Sequence, residues 1–169
     1  MRMLKQTLAK MVALFVLVPA LGAQAAPTPH RLQTPFTGKD KCLDIINDGA
    51  NNRPVLATCA NVSGQIWTFE PLGIPGHFHL HAQFAGAGKC LDIINEAKRD
   101  TPIMAPCGNF SGQHWTLTQE SGYIRMRNLF SGDGKCLDIL NDGSDTLPRM
   151  RRCENVSGQM WHAPPYAPL

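Results

Sequence analysis

The sequence predicts an all-β chain with three-fold internal pseudosymmetry, and three observations carry that prediction. Residues 31–67, 79–115 and 125–161 superpose without a gap as three blocks of 37, with 15 columns identical in all three. Each block contains one pair of cysteines, 17 positions apart: Cys42 with Cys59, Cys90 with Cys107, and Cys136 with Cys153. Beyond the N-terminal segment, no stretch shows the 3.6-residue apolar period of a helix, and short alternating runs are separated by Gly, Pro and Asn-Asp instead. A period this long marks a supersecondary unit that must share a core with its neighbours. Insertions fall only in the connections 68–78 and 116–124.

The N-terminal segment stands apart. Arg2, Lys5 and Lys10 precede an apolar run from Met11 to Leu21, and Ala23-Gln24-Ala25 places small residues where a signal peptidase cuts. The expectation is a signal peptide over 1–25, a mature domain over 26–169, and a secreted or periplasmic location. An eleven-residue apolar run is too short for a membrane span. The segment carries three of the 16 Lys and Arg, so 13 remain against 13 Asp and Glu. That near-neutral balance points away from nucleic acid or an anionic membrane as partner.

An exported chain with an even cysteine count at a repeated spacing reads as a disulfide framework. Pairing between units would break the equivalence of the three copies, whereas pairing within each unit preserves it. Each bridge would then close a loop of about 18 residues, which the chain-entropy model values at roughly 3 kcal/mol. The close Cys-x2-Cys spacing of zinc sites does not occur.

Within a unit, four strands are expected. Leu32 and Phe36 alternate with Arg31 and Gln33 and predict a first strand, closed by a turn at Gly38, and at Gly86 or Gly132 in the other copies. In the second strand Leu43 and Ile45 face the core, while Cys42 and Asp44 take the other face, with Asp44 pointing outward. Asn-Asp-Gly at 47–49 and 141–143, with Pro54, Pro102 and Pro148 downstream, marks a loop before a third strand, Val55 to Cys59. The fourth strand is Gln65 to Phe69. There Gln65 and Trp67 lie two apart and share a face, Trp filling the centre and the Gln amide satisfying backbone groups. The same roles fall to Gln113 and Trp115, and to Gln159 and Trp161. Stacking platforms for a ligand are the alternative role for the three Trp.

Three copies of Cys-Leu-Asp, a second Cys and Gln-x-Trp resemble the ricin B-chain type of β-trefoil lectin domain, over nearly the whole chain after residue 25. The resemblance implies twelve strands, six forming a short barrel and three hairpins capping it. It also implies extracellular binding of galactose-type or xylan-type sugars. Carried over by position, the sugar-binding Asp matches Asp44, Asp92 and Asp138. The aromatic platform falls on Ala57, Ala105 and Arg151, and the polar residue before Gln-x-Trp falls on Gly64, Gly112 and Gly158. No unit therefore has the family's full set.

Other polar candidates come from the repeat itself. Asn61, Asn109 and Asn155 lie two residues after the second Cys, either as sugar ligands beside the Asp or as turn-stabilising side chains. The three Asp likewise either hold sugar hydroxyls or cap turns. Arg149, Arg151 and Arg152 form a basic patch able to attract an acidic sugar or an acidic protein surface. His77, His79 and His81 alternate on one strand face, and a solvated polar face is expected there in preference to a metal site.

No Ser-His-acid grouping or paired carboxylates stand outside the repeat, so neither catalysis nor a cofactor is expected. Two functions compete: a multivalent carbohydrate-binding lectin, and a protein-interaction subunit that binds a toxin partner, since the pattern also resembles the lectin-like targeting subunits of cytolethal distending toxin.

Overall fold

The computed structural model describes residues 27–50, 52–94, 100–140 and 146–169. The expected signal peptide and the turn at 141–143 lie outside the described residues. Among the described residues ten strands and five single 3-10 turns follow one another, and no helix there is long and apolar enough to cross a membrane.

Three hairpins repeat in register: β1 (Lys41–Ile45) with β2 (Pro54–Thr58), β5 (Lys89–Ile93) with β6 (Pro102–Pro106), and β9 (Lys135–Ile139) with β10 (Pro148–Arg152). The remaining strands are β3 (Trp67–Pro71), β4 (His77–Ala82), β7 (Trp115–Glu120) and β8 (Tyr123–Asn128), paired antiparallel in that order. Backbone bridges complete a closed barrel: Ile124 to Trp161, Gln33 to His162, and His30 to both Trp67 and Pro165. The first strand of unit one and the last of unit three are thus present as bridged segments, which brings the strand positions to the twelve of a β-trefoil. Closure leaves no free sheet edge on the barrel, the arrangement that removes the aggregation hazard of unpaired strands.

The Trp side chains occupy the centre as expected. Trp67, Trp115 and Trp161 are each 0% exposed, and each indole N–H donates to the carbonyl of the Leu after the first Cys, at 2.8, 2.7 and 2.9 Å. Leu43, Leu91 and Leu137, with Ile45, Ile93 and Ile139, pack around them. The three disulfides join Cys42 to Cys59, Cys90 to Cys107 and Cys136 to Cys153, all within units.

Two sequence expectations shift. Phe36 lies in the 3-10 turn Pro35–Thr37 instead of extending the first strand, because Gly38 at φ 78° turns the chain back. Gln65 ends the turn Ser63–Gln65, so it does not share a strand face with Trp67; both are buried because the turn folds under the hairpin.

At the capped end, the hairpins are joined head to tail. Leu56 N–H donates to Thr146 O at 2.7 Å, Met104 N–H to Asn52 O at 2.6 Å, and Met150 N–H to Asp100 O at 2.7 Å. Donors and acceptors occupy equivalent positions in the three units, so the contacts form a ring.

Candidate functional site

The residues carried over as sugar ligands lie where each hairpin meets the 3-10 turn before the Trp. Asp44, Asp92 and Asp138 do not point outward: they are 7, 8 and 6% exposed. The strand alternation would place them on the open face, but the turn carrying Gln65, Gln113 or Gln159 covers that face. Gln65 Nε2 donates to Asp44 Oδ2 at 2.9 Å and to Thr58 O at 2.9 Å, while its Oε1 accepts from Ala60 N–H at 2.8 Å. The same lattice recurs as Gln113 with Asp92, Pro106 and Gly108, and as Gln159 with Asp138, Arg152 and Glu154. Burial pushes the Asp44 and Asp138 carboxyls up, against the pull of the Gln amide.

The other carboxylate oxygen faces the glycine that stands where the family carries a polar residue. A Cβ on Gly64 would lie 2.0 Å from Asp44 Oδ1 and 2.4 Å from Ile45 O, and Gly112 and Gly158 are as tightly confined. The second Gly that is identical in all three units is therefore a close-packing requirement, and no side chain can enter beside the Asp from this turn.

Asn61, Asn109 and Asn155 are exposed and do not behave alike. Asn61 Oδ1 accepts from Arg31 Nη2 at 2.9 Å and from Leu169 N–H at 2.8 Å, tying the C-terminus to unit one. Asn109 and Asn155 have no side-chain hydrogen bond among the described residues. Arg151 is not a free cation: its Nη1 donates to Asp100 Oδ2 at 2.9 Å, and Arg149 Nη1 donates to Thr101 Oγ1 at 3.1 Å, so the basic patch fastens unit three to unit two. Burial alone would raise the Asp100 carboxyl, but hydrogen bonds from Arg151 and Thr101 and the neighbouring guanidiniums hold it below the ordinary value.

The expected solvated face of His residues is partly enclosed. His79 and His81 side chains are 14 and 13% exposed and sit beside Glu70, with His81 Nε2 at 3.0 Å from its carboxylate. Cys90 lies close enough to complete a three-ligand group, but its sulfur is bonded to Cys107. A disulfide sulfur is not a thiolate ligand, so these residues do not form a metal site.

One surface residue escaped the sequence reading. Phe110 is 59% exposed and caps the turn Ser111–Gln113, whose Gly112 backs the Asp92 carboxylate. Its ring lies against Gly108, where a Cβ would be 2.4 Å from Cε2. Its counterparts Val62 and Val156 are exposed too, at 44 and 39%. The signal was available in the alignment, as the aromatic residue in a column of otherwise β-branched Val.

Comparison with known proteins places this geometry in context. A family model described as the ricin-type beta-trefoil lectin domain matches residues 76–166. No curated protein sequence matches the chain. Among solved structures, the designed three-fold symmetric protein ThreeFoil is similar with TM-score 0.67 and 23% identity, over 80% of this chain and 96% of that one. The Polyporus squamosus lectin, solved with the human-type influenza-binding epitope Neu5Aca2-6Galb1-4GlcNAc, gives TM-score 0.65 and 16% identity, over 83% of this chain and 50% of that one. The Haemophilus ducreyi cytolethal distending toxin gives 0.64 and 16%, over 85% of this chain and 90% of that one. At these identities the likeness is one of fold.

Proposed function

Since the chain belongs to the ricin-type beta-trefoil lectin domain family, we propose that it is a secreted or periplasmic carbohydrate-binding protein, without catalytic activity, that binds glycans through repeated sites on its three hairpin faces. The observation that carries this reading is the three-fold recurrence of one hydrogen-bonded pair, in which Asp44, Asp92 or Asp138 is fixed by Gln65, Gln113 or Gln159, with an exposed Asn61, Asn109 or Asn155 two residues after the second Cys of the same unit. Such repetition suits weak sites that gain strength by acting together on a multivalent glycan surface.

Unit two is the best equipped of the three. Phe110 offers an exposed apolar ring over Gly108, next to the turn whose Gly112 backs Asp92, and Asn109 retains its full amide for a sugar hydroxyl. Stacking a sugar ring on an exposed aromatic, with hydroxyls held by a few fixed polar groups, is the general form of such sites. Unit one is weaker, because Asn61 is engaged with Arg31 and Leu169. Unit three has Val156 at the ring position, and its Arg151 is paired with Asp100.

A second reading, a subunit that binds a toxin partner protein, is supported by the exposed apolar residues Val62, Phe110 and Val156 at equivalent places. A glycan array run beside a pull-down from the native secretion separates the two. Glycan binding that falls when Phe110→Ala and Asn109→Ala are introduced supports the lectin reading. A silent array with a co-purifying protein moves the partner reading ahead.

A further inference from the structure

The third repeat departs from the other two just past its Trp, and a cleft lies beside the departure. Where unit one has Phe69 and unit two has Leu117 packed on the core, unit three has Ala163. Phe69 fills its seam by stacking on His30, with ring centroids 4.9 Å apart. The seam between units three and one, where Ala163 fills less space than Phe69 or Leu117 would, holds a cleft of about 820 Å³ bordered by Gln33, Gln119, Tyr123, Ile124, His162 and Ala163. Ligand clefts commonly enclose ~300–1,000 Å³.

We propose that this seam cleft is a carbohydrate subsite separate from the hairpin faces; the proposal rests on the reading of the chain as a glycan-binding protein. Ile124 and Ala163 provide an apolar floor. Tyr123, whose ring lies 4.6 Å from that of His162, provides the aromatic wall on which one face of a sugar ring stacks. Amides stand on the polar side: Gln33 Nε2 is held by Lys39 O at 2.7 Å, which fixes the side chain and leaves its Oε1 without a partner among the described residues. The exposed Gln119 side chain makes no hydrogen bond among them either. The Gln33 oxygen can accept from a sugar hydroxyl, and the Gln119 amide can both donate to one and accept from one.

The cleft is also held open. Pro164 and Pro165 lock the chain after Ala163 in extended backbone, and Gln33 N–H and O bond His162 O and N–H at 3.0 and 2.8 Å. A site whose walls are already ordered loses less entropy on binding.

The test titrates the purified protein with lactose, xylotriose and digalacturonate, following backbone and methyl NMR signals. The expected result is that at least one sugar shifts Tyr123, Ala163 and Gln33. Ala163→Leu, which restores the side chain of unit two, and Tyr123→Ala should each weaken that binding at least tenfold, with unchanged melting. Gln119→Ala, on an exposed side chain, carries the test should a cleft variant misfold, and should weaken binding several-fold. If a sugar binds but shifts only residues around Asn109 and Phe110, and Gln119→Ala and Ala163→Leu bind as the parent does, the subsite is overturned while the lectin reading stands. If none of the three sugars binds anywhere, the subsite is overturned, and a silent glycan array would show that the lectin reading falls with it.

Discussion

Gln65 holds Asp44 by a single donor atom: Nε2 lies 2.9 Å from the buried Oδ2 and equally 2.9 Å from the carbonyl of Thr58. The amide therefore bridges the two hairpin strands and the turn, and the carboxylate is part of the scaffold whether or not it also meets a ligand. Asp44→Ala leaves a buried amide hydrogen without a partner, and should cost about 1–3 kcal/mol in urea unfolding. Asp44→Asn, which keeps an acceptor oxygen, should cost less. Equal melting of Asp44→Ala and the parent would return the Asp to a purely ligand-holding role.

Two sets of carboxylates should respond to pH with opposite signs. The folded-state pKa of Asp44 and Asp138 is raised by burial, so their contribution to stability is fully present below the ordinary value of 3.8 and is lost as pH rises through the raised value. Asp44→Asn should therefore gain on the parent between those two points. Asp100 is lowered, so its contribution is present above 3.8 and is lost as pH falls through the lowered value. The deficit of Asp100→Asn, about 1 kcal/mol given the partly exposed Arg151, should be full at neutral pH and shrink in acid. Melting curves of the parent and both variants from neutral pH to below 3 check both signs.

Restoring the family's polar residue at Gly112 should fail. An added Cβ would lie 2.1 Å from Asp92 Oδ1 and 2.5 Å from Ile93 O. Gly112→Asn should destabilise by at least the ~1–3 kcal/mol of ordinary overpacking. Combining it with Asp92→Ala should recover only part of the loss, because the backbone carbonyl remains in the way. Full recovery in calorimetry would show that the turn can move.

Removing one Trp should be costly in every unit. Trp67→Ala, Trp115→Ala and Trp161→Ala each empty a fully buried site and orphan a Leu carbonyl, and should each cost on the order of 3–5 kcal/mol. Variants that melt like the parent but lose glycan binding would make the Trp platforms after all.

The fold was legible because its determinants are periodic. Identical spacing fixes which cysteines can be equivalent, and a Gln-x-Trp at the end of each copy leaves the Trp little choice but the shared centre. The burial of Asp44 was not legible, since strand alternation predicts only which side of a hairpin a residue takes, and the cover on that side comes from a turn some 20 residues later. The Arg151–Asp100 pair joins different copies, and the residues equivalent to Asp100 are Asn52 and Thr146, so the repeat offered no hint of it. Ala163 lies two residues past the aligned block, where its contrast with Phe69 and Leu117 drops out of the comparison.

The ring of backbone contacts through Asn52, Asp100 and Thr146 gives the molecule an arithmetic that linear repeat proteins lack. In a stacked solenoid, a unit added or lost changes the length and leaves each neighbouring interface as it was. Here every hairpin gives one hydrogen to the unit before it and takes one from the unit after it, with unit one donating to unit three. A two-copy chain would leave one donor and one acceptor facing nothing, and a fourth copy would have no gap to enter. Duplication within this gene could therefore create a second trefoil beside the first, but not a larger one.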